Sequence, residues 1–313
     1  MPRLPLAFPK AIPMLVRFSS LVMAILITAG LPCSAGPAPA GEMPREIRLW
    51  PDGVPGERVP GEPAEKVERG QDDIQRRSNV SDPRLVVHSL APGDAGPRPA
   101  MIILPGGGYN ILADDHEGGE VGRFLNGHGI VALTLLYRVP TGSFAVPDAG
   151  PVMDAQKAVS VVRERAAELG VDPTRIGLMG FSAGGHTALV AATTEATFPG
   201  ADRAASARPD CTVLIYPWRV LAADGTGLWP GVVIDAGTSP MFIAQTADDT
   251  ASPAKGAVAL FAALLEGKVP AELHVYERGG HGYGLRRRER APGTGDWPAR
   301  LLDWLEGRGF APR

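Results

Sequence analysis

Ser182 stands in Gly180-Phe-Ser182-Ala-Gly184, with the apolar run Arg175-Ile-Gly-Leu-Met179 before it and Gly185-His-Thr-Ala-Leu-Val190 after it. The spacing predicts a strand, a sharp turn and a helix, with the hydroxyl presented at the turn. Such a turn holds its serine in strained φ/ψ, and side chains two residues to either side would meet neighbouring backbone, so glycine is required there. A serine hydroxyl is a poor nucleophile at neutral pH, and the chemistry needs a base and a group that orients the base. His281, in the glycine-rich stretch Gly279-Gly-His281-Gly-Tyr-Gly284 after the last apolar run, is the candidate base. The orienting acid is expected after the apolar run Met241–Gln245, where Thr246-Ala-Asp248-Asp249 offers two carboxylates, only one of which need face the histidine.

Acyl transfer through a serine also needs fixed N–H donors for the negative oxygen of the tetrahedral intermediate. Pro105-Gly106-Gly107-Gly108-Tyr109 follows the run Ala100–Leu104 and can gather backbone amides there, with the Ala183 amide, next after the serine, as their partner. No G-x-G-x-x-G spacing opens a helix at this point, which disfavours a dinucleotide site. His116, in Asp114-Asp-His-Glu-Gly118 shortly after the glycine run, is placed to line a pocket. His88, His128, His186 and His274 read as packing or surface residues.

These groups must be positioned by a scaffold, and the chain from Leu85 onward supplies one. Short apolar runs at Leu85–Leu90, Ala100–Leu104, Ile130–Leu136, Arg175–Met179, Cys211–Tyr216, Met241–Gln245 and Leu273–Tyr276 alternate with amphipathic stretches. Buried strands separated by helices imply a mostly parallel sheet covered on both faces. Asp154 is expected to cap a helix over Ala155–Leu169, Ser252-Pro253 to open one reaching about Leu265, and Asp296 to Leu305 to close the chain with one apolar face. Pro-, Gly- and Glu-rich residues 36–45 and 51–63 flank Ile47-Arg-Leu-Trp50, an extended entry segment that can add an edge strand. No linker after Leu85 is long enough to separate a second core from the first, so residues 36–313 read as a single catalytic domain.

Composition narrows the function classes. The chain has 313 residues, 44% hydrophobic and 21% charged, with a net charge of −3. That balance belongs to a globular domain, and the absence of a basic excess argues against nucleic acid as a partner. Two cysteines, Cys33 and Cys211, cannot make a disulfide framework or a structural zinc cluster, and Cys211 lies in an apolar run that reads as core. Arg3, Lys10 and Arg17 precede the apolar run Leu21–Leu31 and then small residues, the pattern of a secretory signal over residues 1–35, with cleavage after Ala35 or, alternatively, after Ala40. The run is shorter than the roughly 20 apolar residues that span a bilayer, so no stable membrane span is expected after cleavage. Pro32 is a poor neighbour for a lipidated Cys33. A secreted or periplasmic location follows.

With these pieces placed, the chain resembles the α/β-hydrolase superfamily, and within it the acetyl esterase, acetylxylan esterase and feruloyl esterase-like group, over about Leu49 to Trp304. The marks are Trp50-Pro-Asp-Gly-Val-Pro-Gly56, Pro-Gly-Gly-Gly-Tyr109, His116-Glu-Gly118, Tyr137-Arg138, Asp154-Ala-Gln156, Gly180-Phe-Ser-Ala-Gly-Gly-His186, Ile215-Tyr-Pro217, Ala247-Asp-Asp249 and Gly280-His-Gly282. The resemblance implies an α/β-hydrolase fold with a mostly parallel central sheet of about eight strands and helices on both faces. It implies Ser182 as nucleophile with Asp248, the first of the acidic pair, and His281 as its partners. It also implies Gly107, Gly108 and Ala183 as oxyanion donors. Tyr109 and His116 are read as substrate-binding candidates, and the serine mechanism calls for no metal or cofactor. Pro105 and Gln245 stand where related esterases often carry histidine; neither position touches the triad. Together with export, the resemblance implies a secreted serine carboxylic-ester hydrolase acting on acetyl groups of xylan or a related polysaccharide. The alternatives are a prolyl oligopeptidase-type peptidase, for which no propeller-sized N-terminal region is present, and a non-catalytic carbohydrate-binding homologue, which would have lost the nucleophile or base. Arg286-Arg-Arg-Glu-Arg290, close after His281, reads as a solvated face or, alternatively, as a contact for an acidic sugar.

Overall fold

Apolar runs without polar alternation have to be covered on both faces, and the sheet of this protein does that with the runs named above. The computed structural model describes residues 45–88, 96–201, 206–286 and 291–310. The strands are β1 (Glu46–Arg48), β2 (Lys66–Arg69), β3 (Gln75–Ser78), β4 (Arg84–His88), β5 (Arg98–Leu104), β6 (Val131–Leu136), β7 (Val171–Phe181), β8 (Cys211–Ile215), β9 (Met241–Thr246) and β10 (Ala271–Tyr276). Among the described residues, eight of them form one sheet in the order β1-β4-β6-β5-β7-β8-β9-β10, and β2 and β3 pair as a separate antiparallel hairpin. The β1–β4 and β4–β6 pairs are antiparallel and every other pair in the large sheet is parallel.

The helices are α1 (Glu120–Gly127), which continues a π-helical turn at Asp115–Gly119, then α2 (Ala149–Glu164), α3 (Ala166–Leu169), α4 (Ala183–Thr193), α5 (Ala254–Glu266) and α6 (Trp297–Glu306). They divide the core in two. Val159 and Val162 of α2, Leu189 of α4 and Leu260 of α5 pack against one face of the sheet with Ile102 and Leu178. Val121 and Leu125 of α1 and Trp297 and Leu301 of α6 cover the other face with Ile103 and Met179. Cys211 is buried in β8, and that burial pushes its thiol well above the ordinary range. The chain order reverses direction across the sheet at β5, which lies between β6 and β7. Loops leaving the carboxyl ends of parallel strands beside such a reversal converge on a crevice.

The strands fall where the apolar runs predict, with two differences in detail. β7 begins at Val171, earlier than its apolar run, and β2–β3, polar but for the exposed Val67, carries no periodicity that would announce it. Two helix starts need correction. Asp154 does not cap a helix: it lies inside α2, fully buried, because its carboxylate receives Arg138 and the Trp50 indole N–H. Ser252 does not cap α5 either; Pro253 occupies the cap position, and the Ser252 hydroxyl makes no hydrogen bond to the helix. The Trp50, Arg138 and Asp154 marks therefore meet at one structural knot. Arg138 also donates to the carbonyls of Pro55 and Glu57, at 2.6 and 3.0 Å, and so fastens the entry segment to the sheet.

All the described residues fall in one compact unit, Glu42–Arg313. The secretory signal read at 1–35, with both cleavage positions, lies outside the described residues. Among the described residues no helix is long and apolar enough to cross a membrane.

Candidate active site

β7 runs into α4 through Ser182, whose φ of 52° and ψ of −117° are strained for a residue with a side chain. The turn is held by the Ser182 N–H donating to Ile215 O at 3.1 Å and by its own carbonyl accepting from the N–H groups of His186 and Trp218, each at 3.0 Å. Gly184 is forced by approach: a Cβ there would run into the carbonyls of Leu104 and Pro105. The turn thus presses β7 and α4 against the end of β5, and the serine is presented at the crevice.

His281 lies on the loop after β10. Its Nε2 is 2.8 Å from Ser182 Oγ, and its Nδ1 is 2.7 Å from Asp249 Oδ2. With the Nδ1 proton donated to the carboxylate, Nε2 is free to accept the serine proton. The carboxylate that faces His281 is therefore Asp249, the second of the pair, and not Asp248 as the resemblance implies. Asp249 is fully buried, with Oδ1 fixed by the N–H groups of Ala251 and Ser252 at 2.9 and 2.8 Å. Asp248 is exposed, and its Oδ1 instead accepts the Gly280 N–H at 2.7 Å. That hydrogen bond holds the Asp248 carboxyl below its usual range and pins the histidine loop from outside. Gln245 contributes below them: its side chain donates to Ser252 O and accepts from Thr246 N–H, closing the loop that carries Asp249.

The glycine run after β5 lies directly against the serine; a Cβ on Gly106 would come within 2.8 Å of Ser182 Cβ. Among the described residues, the backbone N–H groups of Gly107, Gly108 and Ala183 have no hydrogen-bond partner, whereas Gly106 N–H donates to Glu117 Oε2 at 2.7 Å. Three unpaired amides from two elements are thus gathered where an oxyanion would need them.

Glu117 is the residue that sequence reasoning left without a role. Its buried carboxylate accepts from Gly106 N–H through one oxygen and from the Tyr216 hydroxyl, at 2.7 Å, through the other. Tyr216 in turn accepts the Gly284 N–H at 3.0 Å, and its ring lies edge-on to His281 with 4.9 Å between centroids. Burial and the neighbouring carboxylate push the Tyr216 phenol well above its ordinary value, so it stays a donor to Glu117. One side chain from the π-helical turn therefore ties the glycine loop to the histidine loop. The signal was present in His116-Glu-Gly118 and Ile215-Tyr-Pro217, which are marks of the resemblance with no chemistry attached.

The cleft above Ser182 has a volume of about 430 Å³ and includes Gly107, Gly108, Ile111, His116, Trp218 and His281 in its lining. His116 is brought there as expected, its Nε2 3.2 Å from Gly282 O. Tyr109 is not: it is buried beneath the loop, with its hydroxyl 2.9 Å from Thr187 Oγ1 and its ring against Tyr137, His186 and Trp218, so its role is to support the glycine run. The Arg286 side chain is taken up by Glu120, at 2.7 Å, and by the carbonyls of Asp72 and Asp73, so it is not free for an acidic sugar; residues 287–290 lie outside the described residues.

A mostly parallel sheet that presents serine, aspartate and histidine in that chain order from the ends of β7, β9 and β10 is the architecture of the α/β hydrolases. Comparison with known proteins agrees. The BD-FAE family model matches residues 89–210. An acetylxylan esterase from Xylanibacter ruminicola is 35% identical over 118 residues, 38% of this chain and 22% of that protein. Endo-1,4-beta-xylanase B from Butyrivibrio fibrisolvens is 29% identical over 206 residues, 59% of this chain and 32% of that protein. The matches thus span about a fifth to a third of the length of these curated relatives. Among solved structures, an acetyl ester-xyloside bifunctional hydrolase from Caldicellulosiruptor lactoaceticus superposes with a TM-score of 0.63 at 31% identity, covering 81% of this chain and all of that one. A thermophilic esterase from Thermogutta terrifontis with propionate bound gives 0.65 at 26% identity, covering 81% of this chain and 98% of that one. The chain belongs to the α/β-hydrolase superfamily, within its esterase-like group.

Proposed function

We propose that this protein is a serine carboxylic-ester hydrolase that removes acetyl groups from xylan or a related polysaccharide through an acyl-enzyme. The observation that carries the reading is the continuous chain Ser182 Oγ, His281 and Asp249, with contacts of 2.8 and 2.7 Å, beside three unpaired backbone amides. Ser182 Oγ attacks the ester carbonyl carbon while His281 Nε2 takes its proton. The carbonyl oxygen becomes an oxyanion facing the amides of Gly107, Gly108 and Ala183. Collapse breaks the bond to the alcohol, which leaves with the proton from His281. Water then enters, His281 removes its proton, and a second tetrahedral intermediate releases the acid and restores the serine. Asp249 holds the histidine tautomer throughout and stabilises the imidazolium. None of these steps draws on a metal or a cofactor.

The polysaccharide belongs to the proposal on two supports: the kinship with an acetylxylan esterase and an acetyl ester-xyloside hydrolase, and an N-terminal sequence of the export type, which supports action on a polymer outside the cell. The test is acetate release from acetylated xylan by the protein without its N-terminal segment, beside Ser182→Ala, with 4-nitrophenyl acetate and 4-nitrophenyl butyrate as small esters. Acetate released from xylan by the wild type and abolished in the variant is the expected result. Turnover of the aryl esters alone would retain the serine chemistry and remove the polymer; turnover of none would remove the hydrolase reading.

A further inference from the structure

Beyond the cleft lies a smaller groove, of about 170 Å³, that shares Trp218 and Ala251 with it and continues along Arg219, Ser252 and Lys255. Its charge is one-sided: two cations line it and no aspartate or glutamate does. Arg219 is exposed, with its guanidinium carbon 4.1 Å from the ring centre of Trp218 and 5.7 Å from that of Trp229. Among the described residues neither Arg219 nor Lys255 makes an ion pair, whereas Arg208 and Arg286 both do. Two neighbouring carboxylates are already engaged, Asp148 by His186 and the Trp229 indole N–H, and Asp249 by His281. Ser252 is 1% exposed, and its hydroxyl has no hydrogen-bond partner among the described residues.

The backbone that carries Arg219 is constrained. Its φ of 46° is unfavourable for a residue with a side chain. The conformation is enforced from three sides. Trp218 N–H donates to the carbonyl of Ser182, buried His186 donates from Nδ1 to the carbonyl of Arg219 at 3.0 Å, and Trp229 N–H donates to Val220 O at 2.8 Å. The guanidinium is thereby kept in register with the serine, one residue beyond a tryptophan that lines the cleft. A planar cation stacked on an indole, without an anion of its own, presents its N–H edge for a carboxylate.

We propose that this groove is an anion subsite that receives a carboxylate carried by the ester substrate, with Arg219 as its principal ligand and Lys255 and the Ser252 hydroxyl as supporting ones. The proposal rests on the ester-hydrolase reading for its substrate, and on the groove alone for its charge. The carboxylate belongs either to a uronosyl unit on the alcohol side or to a dicarboxylic acyl group, and the two sources separate by assay.

Wild type, Arg219→Gln, Lys255→Gln and the double variant are assayed on acetylated xylo-oligosaccharides with and without a glucuronosyl substituent, and on 4-nitrophenyl hemisuccinate against 4-nitrophenyl acetate. In one of the two pairs, the ratio of kcat/KM on the charged substrate to that on the neutral one is expected to fall at least about tenfold in the double variant, chiefly through KM. The wild-type preference should also shrink with added salt. Ratios unchanged in both pairs overturn the subsite. Calorimetric binding of the glucuronosyl oligosaccharide and of 4-nitrophenyl hemisuccinate to Ser182→Ala, with and without Arg219→Gln, keeps the two questions apart: it reads the groove even if no ester is turned over. Binding of either that requires Arg219 supports the subsite, and binding of both that is indifferent to it, or of neither, overturns it.

Discussion

Asp248 and Asp249 are adjacent in the chain and chemically identical, and only their surroundings separate them. Asp249 is buried with all its hydrogen bonds directed at the histidine and its own loop, while Asp248 faces solvent and holds the Gly280 amide. Replacing Asp249 by Asn allows the wrong histidine tautomer, and kcat on 4-nitrophenyl acetate should fall by roughly 10³–10⁴-fold with KM little altered. Asp248→Asn should cost less than about tenfold, because it loosens one loop contact. The reverse order of losses would return the role to Asp248. Glu117 makes a second prediction at this scale. In Glu117→Gln an amide has one acceptor where the carboxylate uses two, so either Gly106 N–H or the Tyr216 O–H loses its acceptor. A fall in kcat of roughly 10–100-fold with KM nearly unchanged is expected, a fraction of the effect of losing an oxyanion donor. A rise in KM at constant kcat would instead make Glu117 a substrate contact.

At the scale of elements, the strands carry no chemistry and the loops at their carboxyl ends carry all of it. That division explains what could be read in the sequence. Buried strands such as β6 and β8 must be continuous apolar runs, and the serine turn must have its glycines, so both announce themselves. The choice between two neighbouring aspartates depends on how a loop turns after Thr246, and the role of Glu117 depends on three elements meeting; neither leaves a periodicity. The hairpin β2–β3 was unreadable for a related reason, being fastened by charge. Glu65, just before β2, binds Arg77 of β3 and Arg84 of β4. Burial alone would raise the Glu65 carboxyl, but hydrogen bonds from Arg84 and Arg77 outweigh it and hold it below its ordinary 4.5. A carboxyl lowered by folding stabilises the folded state above its unfolded value, and that contribution fades as pH falls through the lower folded value. Urea unfolding at pH 7 and at pH 3.5 should therefore show a smaller loss of stability on acidification in Glu65→Gln than in wild type. An equal or larger loss in the variant would dismiss the clamp.

For the molecule as a whole, one sheet with both faces covered supplies the rigidity, and the entry segment is bound to it by the β1–β4 pairing and by a buried knot. Arg138→Met leaves the Asp154 carboxylate, itself wholly buried, without its cation. Losing one partner of a buried pair typically costs about 3–5 kcal/mol, which for a chain of this size corresponds to a drop in Tm on the order of 10 °C. Thermal unfolding checks this, and an unchanged Tm would show that the Trp50–Asp154 hydrogen bond and the β1–β4 pairing hold the segment without the arginine. The same rigidity places the serine, the histidine and the unpaired amides before any substrate arrives, and the proposed hydrolysis passes through Ser182. The most direct measurement is covalent titration with an aryl phosphate ester such as paraoxon, reading the adduct by intact and peptide mass spectrometry while following 4-nitrophenyl acetate turnover. One phosphoryl group per chain, on the peptide containing Ser182, with activity lost in proportion, is the predicted result. Turnover that persists after Ser182 is fully modified, or an adduct at another residue that accounts for the loss, would contradict it.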